Sequence, residues 1–171
     1  MPFPILFGTS VAFGMIAWGV VSLRYIWPAL REREGLDNLR PILMLHSFRF
    51  LGLSFILPGV VSADLPSVFA QPVAYGDFIT AVLALLALAT LPTRAGTAAT
   101  WVFNIFGTAD LLFAFYLGNL ISLADKPGLL GTAYFILMAY VPLLLITHII
   151  AFRLLLRRRS AGRSRSVLKA A

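Results

Sequence analysis

Five long apolar stretches constrain what this chain can fold into. They cover residues 4–27, 41–61, 73–91, 99–122 and 129–152, and a bilayer-spanning helix needs about 20 apolar residues. Because backbone polar groups inside a bilayer must be paired within the spanning segment, such stretches form helices. We therefore predict an all-α fold, a polytopic membrane bundle of five transmembrane helices over residues 1–156, followed by a basic tail at 157–171.

The composition agrees with a membrane protein. Hydrophobic residues make up 60% of the chain and charged residues 12%, whereas soluble domains average about 25% charged residues. The chain has no cysteine, so it can form no disulfide, thiolate metal site or covalently attached haem. The net charge of +7 lies mostly beside the apolar stretches and in the tail. We therefore expect anionic lipid, and no nucleic acid, as the partner of these charges.

The distribution of basic residues predicts the orientation of the bundle. With the tail in the cytoplasm, the inner connectors hold nearly all basic residues: Arg24, Arg31, Arg33, Arg40, Arg94 and the whole of 157–171. The outer connectors then hold only Lys126. The positive-inside rule therefore predicts the N-terminus outside and the C-terminus inside. We expect the tail itself to be disordered, because it is rich in Ser and Arg.

The fourth stretch carries polar residues where lipid would be unfavourable. On an ideal helix, one of its faces presents small and polar residues: Asn104, Gly107, Asp110, Ala114, Gly118 and Ser122. An ionised carboxylate at the bilayer centre costs about 2.5–3.5 kcal/mol on insertion scales, so Asp110 should turn inward to a partner. Arg49 lies about 12 Å along its own span and Asp110 about 15 Å along the parallel fourth span. We predict that they meet, with Asn104 and His46 completing a polar cluster.

Three further residues are candidates for a site. Asp77 is predicted at the start of the third helix, where the helix dipole favours a carboxylate. His46 and His148 each lie about 9 Å from the cytoplasmic end of their spans. They could be axial ligands of a b-type haem if the second and fifth helices adjoin, or each could bond to a polar neighbour. A zinc or copper site needs three or four matched ligands, and we predict none.

The order of several short motifs resembles a family of small, uncharacterised bacterial integral membrane proteins. The motifs are LHSFRFLGLSF, DLPSVFAQPVAYGD, WVFNIFGTADL and LLITHII. The matching positions are Arg49, Gly52, 65–72, Gly76, Asp77, Asn104, Gly107, Asp110 and His148. The chain departs from these relatives at His46, where they often carry Gln. The resemblance implies a multi-pass protein of the bacterial inner membrane with five helices, and no known reaction.

These observations leave three classes of function open. The first is a small-ligand binding or transport-related protein that uses the polar cluster. The second is a haem-carrying electron-transfer subunit that uses His46 and His148. The third is a structural subunit of a homo-oligomer or a larger membrane complex. Because no nucleophile–base arrangement or phosphate loop is present, an enzyme is disfavoured.

Overall fold

The fold is helical throughout the part of the chain that can be described. The computed structural model describes residues 2–33, 35–91 and 93–170, and the side chains of these residues except at 94 and 158–170. Within these ranges there is no β-strand, apart from one isolated bridge between Pro58 and Val61. The predicted all-α class is therefore confirmed.

Regular α-helices alternate with short 3-10 and π-helical segments. The α-helices are α1 (Phe3–Val21), α2 (Trp27–Arg31), α3 (Arg40–His46), α4 (Ser67–Thr90), α5 (Arg94–Leu120) and α6 (Val141–Ala170). A π-helical turn, Ser22–Ile26, joins α1 to α2, and a 3-10 helix, Ser47–Ile56, continues α3. Two 3-10 helices, Leu123–Asp125 and Pro127–Ala133, and a π-helical turn, Ile136–Tyr140, lie between α5 and α6.

Among the described residues, four continuous helical stretches are long and apolar enough to cross a membrane. They are Phe3–Arg31, Ser67–Thr90, Ala95–Leu120 and Ile136–Arg157. The lengths and composition of these helices are compatible with a membrane protein. The predicted second span, 41–61, is not among them, because its helix ends at Ile56 and changes from α to 3-10 geometry after His46.

Several predicted boundaries differ from the structure. The third helix begins at Ser67 rather than at 73, because Pro66 precedes its first turn and Pro72 is accommodated inside it. The fifth segment begins with the 3-10 helix Pro127–Ala133, which is broken at Gly131 by a positive φ of 50°. The backbone of α6 continues to Ala170, through the tail that the sequence predicts to be disordered.

The bundle has two hydrophobic cores. The first core joins the ends of the helices near Leu30, Leu43, Leu91 and Leu155. The second core joins the opposite ends near Phe55, Phe69, Leu117 and Leu130. We call them the inner and the outer core, after the predicted orientation. Between them lies a layer of polar and charged side chains, which we call the polar layer. It consists of His46, Arg49, Asp77, Asn104, Asp110 and His148.

Helix α1 packs on the segment just before α6 through a few polar and small residues. The indole nitrogen of Trp18 donates to the carbonyl of Ala139 at 2.7 Å, and the hydroxyl of Tyr134 donates to Ser10 at 3.1 Å. Gly14 lies against the carbonyl of Met138, where a Cβ would collide with the oxygen. No residue of α1 is fully buried, but several of them, including Phe7, Val11 and Met15, are partly buried.

Candidate functional site

The polar layer is centred on Arg49, whose side chain is fully buried. Its Nε donates to Asp77 Oδ1 at 2.7 Å, and its Nη2 lies 2.6 Å from both Asp77 Oδ1 and Asp110 Oδ2. Its Nη1 donates to the carbonyl of Gly107 at 3.0 Å and lies 3.3 Å from His148 Nε2. All three guanidinium nitrogens are therefore engaged by the protein.

The 3-10 geometry of residues 47–56 places Arg49 in this layer. In a 3-10 helix, residues three apart lie in line, and the buried residues of this segment are Arg49, Gly52 and Phe55. His46, three residues before Arg49, is also buried. An α-helix, which the apolar stretch 41–61 predicts, does not place these four residues in one line. The line combines His46, Arg49, Gly52 and Phe55, which share no apolar pattern, so no sequence signal marked this period of three.

Glycines make room for both carboxylates. A Cβ on Gly52 would collide with the carboxylate of Asp77, and a Cβ on Gly76 would collide with that of Asp110. Since each carboxylate lies directly against a glycine backbone, α4 can approach both the 3-10 helix and α5 closely. Close approach through small residues is the usual way that membrane helices bring polar groups together.

The tautomer of His148 follows from its neighbours. Arginine can only donate, so His148 Nε2 accepts from Arg49 Nη1. Its Nδ1 therefore carries the proton and donates to Asn104 Oδ1 at 2.7 Å. The amide nitrogen of Asn104 in turn donates to the backbone carbonyl of His148 at 3.3 Å. Asn104 thus fixes the imidazole that supports Arg49.

His46 lies on the inner side of this chain of hydrogen bonds. Thr147 donates to backbone carbonyls of its own helix, so it accepts from His46 Nε2, 2.9 Å away. The ring of His46 lies 4.2 Å from that of His148 and 5.0 Å from that of Phe103, between centroids. His46 Nδ1 is buried without a hydrogen-bond partner among the described residues.

The geometry of the two histidines does not fit a haem. A haem bound by two histidines has its porphyrin plane between the imidazole rings. Here the rings are 4.2 Å apart, which is close to the contact distance of about 3.5–4.0 Å between carbon atoms. Both Nε2 atoms also face protein partners, Thr147 and Arg49.

A cavity of about 240 Å³ extends from the two carboxylates toward the end of the bundle at Asp125. Its walls are largely apolar, with Phe55, Phe69, Val73 and Leu137 among the lining residues. Asp77 and Asp110 line it at the polar layer, and their side chains are 11% and 10% exposed. The cavity therefore connects the charged cluster with one end of the molecule.

The structure brings together most of the residues that the sequence singled out. Arg49 contacts Asp110, and Asn104 and His148 join them through hydrogen bonds. The expectation for Asp77 was wrong, because α4 begins ten residues earlier and Asp77 is an ion-pair partner of Arg49 deep in the helix. Within the described ranges, no three His, Cys, Asp or Glu side chains form a group that could hold a metal ion.

Fold and site together define a helical bundle with membrane-length apolar helices and a buried arginine–dicarboxylate cluster. The family model of a domain of unknown function, DUF8737, matches residues 6–156. The chain therefore belongs to this family. Comparison with curated proteins and with solved structures gave no match. Any function must accordingly be argued from the site.

Proposed function

We propose that this is a bacterial inner-membrane protein with five spans that binds a small ligand in the cavity beside Asp77 and Asp110. The observation that carries the proposal is an apolar cavity that ends on buried ionisable groups. Such groups inside a membrane protein are costly and usually mark a functional site. An apolar pocket with a few convergent polar groups is the usual form of a small-molecule site.

The length of the second helical segment supports a fifth span. Residues Arg40–Ile56 are too few for a spanning α-helix, but ten of them have 3-10 geometry. At about 1.5 Å per α-helical residue and about 2.0 Å per 3-10 residue, the segment extends for about 30 Å. That is about the thickness of the hydrocarbon core of a bilayer.

The predicted orientation would open the cavity to the outside. Its mouth lies beside the connector that includes Asp125, which is an outer connector when the basic segments are inside. On the other side of the cluster, the inner core packs Phe103, Leu43 and Ala151, each fully buried. This arrangement favours ligand binding from the outer side over passage through the bundle.

We also propose that the basic tail contacts the cytoplasmic leaflet. Each Lys or Arg near an anionic surface contributes about 1 kcal/mol of attraction. The side chain of Arg157, the last one described, stacks on Trp27 with its guanidinium carbon 5.5 Å from the ring centroid. Trp is enriched at membrane interfaces, so this contact would mark the inner boundary.

The absence of cysteine from the chain permits a direct test of the cavity. A single cysteine would replace Ala114, which lines the cavity one turn from Asp110. We expect a membrane-impermeant maleimide, added to intact spheroplasts, to label Ala114→Cys. The matched control is Ala87→Cys, in the inner core and fully buried, which should stay unlabelled. If Ala114→Cys resists labelling as Ala87→Cys does, the cavity is not open to the outside and the proposal is wrong.

A further inference from the structure

We infer that the ligand of this cavity is a small organic cation that carries an apolar group. The inference rests on the proposed function and specifies the chemical class of its ligand. It follows from which charges of the cluster are already paired and which face the cavity.

Arg49 is not available to an anion. Its three nitrogens are engaged by Asp77, Asp110, Gly107 and His148, and its side chain is fully buried. It is also absent from the lining of the cavity. An anionic ligand would have to displace a carboxylate from the guanidinium and leave that carboxylate buried and unpaired, which is unfavourable.

Both carboxylates, in contrast, line the cavity, and each has one oxygen that accepts no hydrogen bond from Arg49 and lies beside a glycine, Gly52 or Gly76. Arg49 engages Asp77 through Oδ1 and Asp110 through Oδ2. No hydrogen bond from the described residues reaches Asp77 Oδ2 or Asp110 Oδ1. An ionised carboxylate has about four acceptor positions, so each can receive a further donor. An ammonium group supplies such donors together with the opposite charge.

The charges that line the cavity also favour a positively charged ligand. Two carboxylates share one guanidinium, so the cluster has a formal charge of −1 when both are ionised. The third charged residue of the lining, Asp125 at the mouth, is acidic as well, and the lining includes no Lys, Arg or His among the described residues. A cleft lined by charges of one sign concentrates ions of the opposite sign.

The walls of the cavity define the rest of the ligand. Between the carboxylates and the mouth, the lining includes the aromatic rings of Phe7, Phe55, Phe69 and Phe115. These rings can bury an apolar group and can also attract a cation through their faces. The volume of about 240 Å³ lies just below the usual range of about 300–1,000 Å³ for ligand pockets. A single ring with a short ammonium chain therefore suits the cavity.

Three probes of similar size and different charge test the inference. 2-Phenylethylammonium, 2-phenylethanol and 3-phenylpropionate would each be titrated against maleimide labelling of Ala114→Cys in membranes. We expect the cation to protect the thiol at concentrations at least about tenfold lower than the other two, which corresponds to about 1.4 kcal/mol. Asp110→Asn would then be added to this variant. The asparagine keeps an amide oxygen that can accept from Arg49 but removes the negative charge of Asp110. The preference for the cation over the other two probes should therefore fall to nearly none.

The outcomes separate the inference from the proposed function. If Ala114→Cys is labelled and all three probes protect it equally, or if the anion protects it best, the ligand class is wrong and the open cavity stands. Unchanged cation preference in the Asp110 variant would likewise contradict the inference. If none of the probes protects a cysteine that is readily labelled, the cluster is balanced by a proton and the inference fails.

An unlabelled cysteine contradicts the proposed function itself. Should Asp110→Asn not fold, the ranking of the three probes on the parent variant still decides.

Discussion

At the scale of single residues, the site is a network of three charges rather than a pair. Their similar depths predict that Arg49 and Asp110 meet, and Arg49 Nη2 lies 2.6 Å from Asp110 Oδ2. Asp77 is the additional partner, bound through Oδ1 to both Nε and Nη2 of Arg49. Removing Asp110 together with Arg49 would therefore leave Asp77 buried without a positive charge.

The three-charge network predicts a strongly asymmetric set of mutant stabilities. Arg49→Met leaves two carboxylates unpaired, and we expect a loss of at least about 3–5 kcal/mol in the free energy of unfolding. Asp110→Asn keeps an acceptor for Arg49 Nη2 and should cost only about 1 kcal/mol. Unfolding in mixed detergent micelles measures both, with the exposed Asp64→Asn as the control.

The combined variants distinguish a network from a pair. The double variant Arg49→Met/Asp110→Asn should recover only part of the stability, because Asp77 stays unpaired. The triple variant that adds Asp77→Asn should recover more. Full recovery in the double variant would show that Asp77 does not depend on Arg49.

Glycine packing at the site gives a second prediction at this scale. Gly76→Ala would place a Cβ against the carboxylate of Asp110, so α4 and α5 must separate, and we expect a loss of about 1–3 kcal/mol. The matched control is Gly8→Ala in α1, where a Cβ meets nothing within 4 Å. That change should be neutral or stabilising by about 0.5–1 kcal/mol, because alanine favours helices over glycine. Equal thermal stabilities of the two variants would refute the close approach of Gly76 to Asp110.

At the scale of elements, departures from α-helical geometry position the functional groups. The 3-10 segment aligns His46 and Arg49 with Gly52 and Phe55. The π-helical turn Ile136–Tyr140 precedes Pro142, which has no N–H to donate to the carbonyl of Met138. Helix α1 covers this region, with Trp18 bonded to Ala139 and Gly14 against Met138. The irregular turn is therefore the docking point of α1.

We predict that Trp18→Phe weakens the docking of α1 on the π-helical turn Ile136–Tyr140. The substitution keeps an aromatic ring and removes the donor to Ala139, and hydrogen bonds between membrane helices average about 0.6 kcal/mol and reach about 1.7 kcal/mol. Unfolding in mixed micelles measures the loss, with Tyr25→Phe, exposed on the same helical segment, as the control. Equal effects of the two changes would contradict a role for the indole bond.

At the scale of the whole molecule, the polar layer separates two cores of different character. The inner core is closed by fully buried Leu and Ala side chains, whereas the outer core contains the cavity. The charged cluster is consequently reachable from one end. We propose that this end of the bundle admits the ligand, and the proposed orientation places it outside.

Two single-cysteine variants test the orientation and the number of spans together. Asp125→Cys lies in a predicted outer connector and Glu32→Cys in a predicted inner connector, and both positions are exposed. We expect an impermeant maleimide to label Asp125→Cys in intact spheroplasts and to label Glu32→Cys only after the membrane is opened. The reverse pattern would show that the orientation is opposite to the predicted one. Labelling of both cysteines in intact spheroplasts would show that one of the predicted spans between them does not cross the membrane.

The sequence by itself determined the helical class and the residues that must avoid lipid. Long apolar stretches in a bilayer form helices. An arginine and an aspartate at matching depths are stabilised there by pairing with each other. The tertiary structure decided the rest. Whether residues 47–56 wind as a 3-10 or an α-helix depends on what packs against them, and this choice aligned Gly52 with Arg49. The role of Asp77 depended on where α4 begins. The predicted start at residue 73 follows Pro72, whereas the helix begins at Ser67 and includes this proline. The cavity is lined by residues from several elements that are far apart in the chain, such as Phe7, Phe55, Phe69 and Leu137, which no single stretch of sequence specifies.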